Sequence, residues 1–598
     1  MISSLNPLFT THRSGVIAQQ FFASSAAASI NSVSSLKIAA CSKTKLVDQS
    51  PLRQSGNHQL LSSDFNHLQS LKNDYAEEKY ISRCEVLKEQ AKMMLDQEME
   101  VVNQLELIDD LQRLGLSYHF GDEITSVLSG IYNRKSMNKM RNQWGLYATC
   151  LEFRLLRQHG FDVSQEIFDC FKDEKGDFRP SLCEDSKGML YLYEASYLES
   201  ENEESNLEMA RRFAAKTLKK NLDEKRVDQD LVALVQHALE LPLHWRMMRL
   251  EARWFIDIYE ERSNRNPILL ELAKLDFNIV QAAHQNDLTY TLRQEWWRST
   301  CLAEKLTFAR DMMVENFFWT VGIISDPQRG NGRRILTKVV ALITAIDDIY
   351  DCYGTLDELE VFTTAVERWD VNSIDQLPDC MKICFLALYN FVNEMAYDAL
   401  KEQGVNIIPY LRKSWADLCK AYLQEAKWFF SGEVPTLQQY LNNAWISISA
   451  PAFLVHAYFC VDYPINKDHL QYLDNYHKII RCSAMILRLT NDLGTSPESE
   501  VLNVGDVPKS IRCYMKETGA CEEKAREHLR FLITEAWKQM EEAQTLDSPF
   551  SSTFNGIAVN LARMGLCMYQ HGDGHGHQNS EPRDRILSLL FEPICCLA

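Results

Sequence analysis

Asn266-Pro-Ile-Leu-Leu-Glu-Leu-Ala-Lys-Leu-Asp-Phe-Asn-Ile-Val-Gln-Ala282 carries apolar side chains at Ile268, Leu272, Leu275, Ile279 and Ala282. Steps of three and four residues trace one face of an α-helix. Asn266 suits the N-cap, where its side chain accepts from an unpaired backbone N–H, and Pro267 suits the first helical position, where no N–H is needed. The same period holds elsewhere: Leu107, Ile108, Leu111 and Leu114 form a stripe that Gly115 ends. From about Leu68 onward the alternation expected of strands is scarce, so the expected class is all-α. A chain of 598 residues exceeds one core, which points to two large helical domains. The polar stretch Glu260 to Asn266 is the boundary, giving expected segments of 1–52, 53–265 and 266–598.

The formal charge of −19 opposes any general affinity for nucleic acid or anionic membrane. The 17 cysteines form no CxxC pair, which indicates neither a disulfide framework nor a zinc cluster. No apolar run reaches the roughly 18 residues needed to span a bilayer, the greasiest stretch lying near Thr337 to Ile346. The first fifty residues are rich in Ser and Ala, carry Arg13, Lys37, Lys43 and Lys45, and hold no acidic residue before Asp48. That is the composition of a transit peptide.

Chemistry concentrates in Ala341-Leu-Ile-Thr-Ala-Ile-Asp-Asp-Ile-Tyr-Asp351. On a regular helix Asp347 and Asp351 lie ~40° apart and ~6 Å along the axis, both to one side, while Asp348 points elsewhere as a supporting residue. Crowded carboxylates beside an apolar stripe suit a hard cation such as Mg²⁺; a solvated acidic face is the bland alternative. A second constellation favours the cation: Arg488-Leu-Thr-Asn-Asp-Leu-Gly-Thr495 offers an amide oxygen at Asn491 and a hydroxyl one turn on at Thr495. Arg488, Lys509 and Arg310 supply positive charge for an anion bound to the same metal.

The DDIYD and NDLGT segments resemble the two metal motifs of class I terpene synthases, and the chain from about Arg53 onward looks like a plant monoterpene synthase. Supporting segments are LRQHGFDVSQEIFDCFKDEKG, GMLYLYEASYL, LPLHWRMMRLEARWFID, YGTLDELEVF, GDVPKSIRCYM and YQHGDGHG. The resemblance implies an N-terminal helical barrel without chemistry and a C-terminal catalytic bundle. It also implies about three Mg²⁺ or Mn²⁺ ions, a monomer in the plastid stroma, and a prenyl diphosphate substrate, geranyl diphosphate foremost. No DxDD motif and no second DDxxD is present. The implied metal ligands are Asp347, Asp351, Asn491 and Thr495, with Arg310, Arg488 and Lys509 on the diphosphate. By family position Trp319 would face the carbocation, whereas Phe317 and Phe318 read as core. Tyr569 and Asp573 would lie near the pocket where the reaction ends. His571, His575 and His577 read as satisfied histidines rather than a metal site.

The chain departs from the family pattern at five positions in four places. Gln54 and Ser63 replace an arginine and a tryptophan of the N-terminal signature, Met312 replaces an arginine, Val340 stands where some water-capturing relatives carry Asn, and Ser499 replaces the glutamate that completes the second metal motif. Continuing a regular helix from Asn491 puts Glu498 about −20° round, Ser499 ~80° and Glu500 ~180°, so Glu498 is the expected substitute ligand. The weakened N-terminal signature favours acyclic products such as myrcene, ocimene or linalool over limonene or terpineol. The alternatives are a sesquiterpene synthase acting on farnesyl diphosphate and a catalytically silent binding homologue.

Overall fold

The computed structural model describes residues 73–97, 99–133, 144–199, 206–293, 296–306, 310, 312–461, 464–496, 509–544, 548–572 and 581–596. The chain parts into Met1–Pro51 and Leu52–Ala598, and every described residue lies in the second unit. Among the described residues there is no strand, only an isolated bridge between Lys172 and Phe178. All-α is the fold class.

Helices of nine or more residues, numbered along the chain, begin with α1 (Glu78–Leu95), α2 (Val101–Arg113), α3 (Gly121–Asn133), α4 (Leu146–Gln158), α5 (Ser186–Ala195), α6 (Asn206–Asp223), α7 (Gln229–Glu240) and α8 (Met248–Glu261). They continue through α9 (Pro267–Arg293), α10 (Met313–Ile323), α11 (Gly330–Asp348), α12 (Leu356–Arg368), α13 (Asp379–Gln403) and α14 (Ile408–Ser431). The last are α15 (Leu437–Ser447), α16 (Ala450–Val461), α17 (Lys478–Thr495), α18 (Ser510–Thr518), α19 (Glu522–Ala543), α20 (Ser552–Tyr569) and α21 (Glu581–Leu590).

Local chemistry sets the ends of these helices as the sequence suggests. Asn266 Oδ1 accepts from the Ile268 N–H at 2.9 Å, opening α9. Beyond α2, Gly115 adopts φ +75° and the Leu116 N–H reaches back to the Leu111 carbonyl at 2.8 Å, while Ile108, Leu111 and Leu114 are buried. A positive φ there is cheap only without a Cβ.

The C-terminal bundle packs around α17, which contacts α15, α16, α19 and α20, while α11 lies against α9, α10 and α16. Helix α16 is buried on all sides, as a helix apolar all round must be. The expectation that no stretch could span a membrane needs correcting, because Leu437–Val461 has the length and apolarity. It is a core element instead: 72% of its most apolar 18-residue window is buried in protein, and Ser449 at φ +66° breaks it into α15 and α16. His456 within α16 donates from Nδ1 to the Ala452 carbonyl at 2.7 Å and receives the Trp415 indole N–H at Nε2 at 3.1 Å. Burial pushes its pKa down to about 4.

The N-terminal helices join this bundle through Leu243–Trp245. Trp245 stacks on Trp537 at 5.5 Å, His244 meets Glu541 at 2.5 Å, and Arg563 Nε donates to the His244 carbonyl at 2.8 Å. All cysteines among the described residues are free.

Candidate active site

Helix α11 delivers the acidic segment. Its apolar face, including Leu342, Ala345 and Ile346, is buried, and the helix ends at Asp348. Next comes a π turn, Ile349–Tyr353, closed by the Gly354 N–H on the Ile349 carbonyl at 2.9 Å. Such turns concentrate at functional sites because they re-aim side chains within a helix. The three aspartates fan out: Asp348 is buried, Asp347 is about one-third exposed and Asp351 is exposed.

Arg310 gathers them. Its Nη2 donates to Asp347 Oδ2 at 2.8 Å, its Nε to Asp348 Oδ1 at 2.9 Å, and its backbone N–H to Asp348 Oδ2 at 2.8 Å. Asp351 also lies within its electrostatic reach. Burial opposes the Arg310 charge, but Asp347 and Asp348 outweigh it and raise its pKa. Burial pushes the Asp348 carboxyl up to about 6 against the pull of Arg310, with the Asp347 charge adding to the rise. Asp348 therefore does more than point away from the pair: it is the buried anchor of Arg310.

Helix α17 supplies the second segment. Thr495 Oγ1 donates to the Asn491 carbonyl at 2.7 Å, and Lys509 Nζ donates to Thr495 Oγ1 at 2.6 Å and to its carbonyl at 3.1 Å. Asp492, fully buried, accepts from Tyr440 Oη at 3.1 and 3.0 Å and from the Ser510 N–H at 3.2 Å, which ties α15 and the start of α18 to α17. Arg488 sits one turn before, its Nε on the Ala444 carbonyl at 3.0 Å and its Nη1 3.5 Å from Asp492 Oδ1. Burial disfavours that charge, yet Tyr440, Asp492 and Glu425 raise its pKa.

The two segments, far apart in sequence, converge across α14. Tyr422 lies within electrostatic reach of Asp347, Asp351 and Arg488, and Glu425 within reach of Arg488, Asp492 and Asp347. Neither α14 residue was signalled by a motif. The one hint was polarity, since Glu425 shares α14 with the buried Leu418, Ala421, Tyr422 and Ala426. Burial raises the Glu425 carboxyl above its ordinary range, while Arg488 and the Ser447 hydroxyl oppose the shift.

At the other wall Trp319, half-buried, pairs with Tyr569 at 6.3 Å between ring centroids. Phe317 and Phe318 are fully buried in the core, as expected. His571 pairs with Glu240 at 3.2 Å. Asp573, His575, His577, Glu498, Ser499 and Glu500 lie outside the described residues, as do Arg53, Gln54 and Ser63. The reasoning that selected Glu498 does meet a correction: α17 ends at Thr495 and Ser496 is extended, with ψ 122°. Regular-helix angles measured from Asn491 therefore hold only as far as Thr495.

Among the described residues no trio of His, Cys, Asp or Glu forms a metal cluster. The donors present fit a hard divalent ion on different grounds: they are oxygens only, two carboxylates (Asp347, Asp351) and, on the other segment, an amide and a hydroxyl (Asn491, Thr495).

The fold and site define an all-helical protein in which two oxygen-donor segments, each accompanied by arginine, meet Tyr422 and Glu425 of α14. Residues 298–539 match the profile described as "Terpene synthase family, metal binding domain", and residues 58–239 match "Terpene synthase, N-terminal domain". The chain is similar to a chloroplastic linalool synthase of Coffea arabica, 99% identical over 598 residues and covering 100% of both chains. A solved limonene synthase with 2-fluorolinalyl diphosphate aligns at TM-score 0.86 and 48% identity, covering 91% of this chain and 100% of that one. Isoprene synthase from grey poplar, in complex with three Mg²⁺ ions and dimethylallyl-S-thiolodiphosphate, aligns at TM-score 0.82 and 46% identity, covering 89% and 99%. The chain belongs to the terpene synthase family.

Proposed function

We propose that this chain is a plastid monoterpene synthase that ionises geranyl diphosphate and hydrates the cation to linalool. The observation that carries the proposal is the 99% identity, over the full length of both chains, to a chloroplastic linalool synthase. The transit-peptide composition of residues 1–52 and the weakened N-terminal signature at Gln54 and Ser63 agree with plastid import and an acyclic product. The functional division is 1–52 leader, 53–265 N-terminal helical domain and 266–598 catalytic domain.

Cleaving the C1–O bond sends its electron pair to the leaving diphosphate and leaves an allylic cation shared between C1 and C3. Arg310, Arg488 and Lys509 stabilise the growing negative charge from both sides of the cleft. Mg²⁺ or Mn²⁺ held by Asp347, Asp351, Asn491 and Thr495, with Glu498 completing the set, would add the positive charge that the leaving group needs. The Trp319 face stabilises the cation. A water oxygen then bonds to C3, and its proton passes to diphosphate or to the Tyr569–Asp573 neighbourhood. The partner is thus one small prenyl diphosphate, and the enzyme acts as a monomer with neither nucleic acid nor membrane.

Purified protein, with and without residues 1–52, should be incubated with geranyl, neryl and farnesyl diphosphate in the presence of Mg²⁺ or Mn²⁺, and the products resolved by chiral gas chromatography. Linalool from geranyl diphosphate is the expected main product. A predominantly cyclic product, faster turnover of farnesyl diphosphate, or no turnover at all overturns the proposal.

A further inference from the structure

A carboxyl group that belongs to neither donor segment stands behind Arg488. Glu425 projects from α14 with its side chain only 13% exposed. Its Oε1 accepts the Ser447 hydroxyl at 2.5 Å, and that same hydroxyl oxygen accepts Arg488 Nη2 at 2.9 Å. A hydroxyl has one proton. The other acceptor within range is the Ala444 carbonyl at 3.3 Å, which already receives Arg488 Nε at 3.0 Å. Glu425 takes the proton at the shorter distance, so the lone pairs of Ser447 are left facing the guanidinium.

The location makes such an anchor necessary. Ser447 is the last residue of α15, and two residues on, Ser449 turns the chain into α16 at φ +66°, a conformation an L residue adopts only under constraint. The helix itself does not fix the hydroxyl at this corner. Glu425, held on the long and continuous α14, does.

We propose that Glu425 is a positioning residue: through the Ser447 hydroxyl it sets the Arg488 guanidinium at the site, one turn before Asn491, where the substrate diphosphate is received. The inference rests on the reading of Arg488 as a diphosphate ligand. It opposes simple electrostatics. Glu425 Oε1 lies 4.0 Å from Arg488 Nη2, longer than either step of the route through Ser447, and it faces Asp347 and Asp492 as well, so its repulsion of an anionic ligand taken alone would make its removal tighten diphosphate binding.

The test measures binding of inorganic diphosphate at saturating Mg²⁺ by calorimetry, alongside kcat and KM for geranyl diphosphate and the melting temperature of each variant. Glu425→Leu, which lacks an acceptor, and Ser447→Ala should each weaken diphosphate binding by about tenfold, and the double variant no further than the weaker single, because both act along one path. Glu425→Gln keeps an acceptor for Ser447 and should restore most of the affinity. Binding by Glu425→Leu as tight as the wild type, single effects that multiply, or a Glu425→Gln variant as weak as Glu425→Leu overturns the proposal. Should Glu425→Leu fail to fold, Ser447→Ala against wild type decides. Arg488→Lys separates the premises: unchanged affinity there removes Arg488 as a ligand, whereas weakened affinity there with a silent Glu425→Leu removes only the positioning role.

Discussion

Gly494 packs so closely against Tyr569 that a Cβ at residue 494 would lie 2.6 Å from the Tyr569 carbonyl oxygen and 3.0 Å from that of Gly572. The opposing atoms are backbone and cannot swing aside. The donor helix α17 and the end of α20 that carries Tyr569 are therefore set against each other by the absence of one methyl group. Gly494→Ala must move one of them, at an overpacking cost of about 1–3 kcal/mol. The expected outcome is a melting temperature lowered by several degrees and turnover of geranyl diphosphate reduced by about tenfold or more. Unchanged turnover would show that the spacing between α17 and Tyr569 does not matter to the reaction.

Asp347→Ala and Asp351→Ala should abolish turnover with little change in melting temperature, because both side chains reach solvent and neither packs in the core. Asp348→Ala should behave differently. It deletes both bonds that Asp348 makes to Arg310 and vacates a buried position, so stability and turnover should fall together. Near-wild-type rates for the Asp347 and Asp351 variants would dispose of the metal assignment.

Helical periodicity and capping were legible because they are local: the stripe of α9 and its Asn266 cap follow from residues a few positions apart. The two donor segments were legible for the same reason, each being contiguous. Asp348 was legible as a supporting residue, but its partner Arg310 was not, and the bearing of Asp351 relative to Asp347 assumed an unbroken α-helix that the π turn at Ile349–Tyr353 interrupts. Tyr422, Tyr440, Glu425 and Ser447 were missed because their contacts cross from α14 and α15 to α11 and α17. Nothing in local spacing encodes such contacts; only a carboxylate amid buried apolar neighbours on α14 hinted at one.

Two partly buried carboxyl groups of the N-terminal helices give stability a slope with pH. Burial pushes Glu194 on α5 from 4.5 to about 7, against the Leu243 N–H and Arg113, and pushes Asp110 on α2 from 3.8 to about 6, with the Asp109 charge adding to it. Between the ordinary and the raised values the folded protein holds protons that the unfolded chain has released. Stability from these groups is therefore present below about pH 4 and lost as pH rises through 6 to 7. The melting temperature of Glu194→Gln relative to wild type should be more favourable at pH 8 than at pH 5. An equal difference at both values would show that Glu194 does not titrate in this window.

The last metal ligand has to be sought beyond the end of α17. With Ser496 extended, angles on a regular helix no longer rank Glu498, Ser499 and Glu500. Chain length and charge still do. Glu498 is the first carboxylate after Thr495, three residues on, so it requires the least backbone ordering to reach a metal that the proposed ligands Asn491 and Thr495 would hold. Ser499 is one residue further on, and its hydroxyl lacks the negative charge that strengthens binding to a hard cation. Glu498→Gln is therefore expected to raise the Mg²⁺ concentration required for half-maximal turnover by about tenfold, with a smaller effect for Ser499→Ala and almost none for Glu500→Gln. Measuring the three variants side by side against Mg²⁺ decides the matter. A large rise confined to Glu500→Gln would transfer the role to that residue, and the chain beyond Ser496 would then have to bring the more distant carboxylate back toward Thr495.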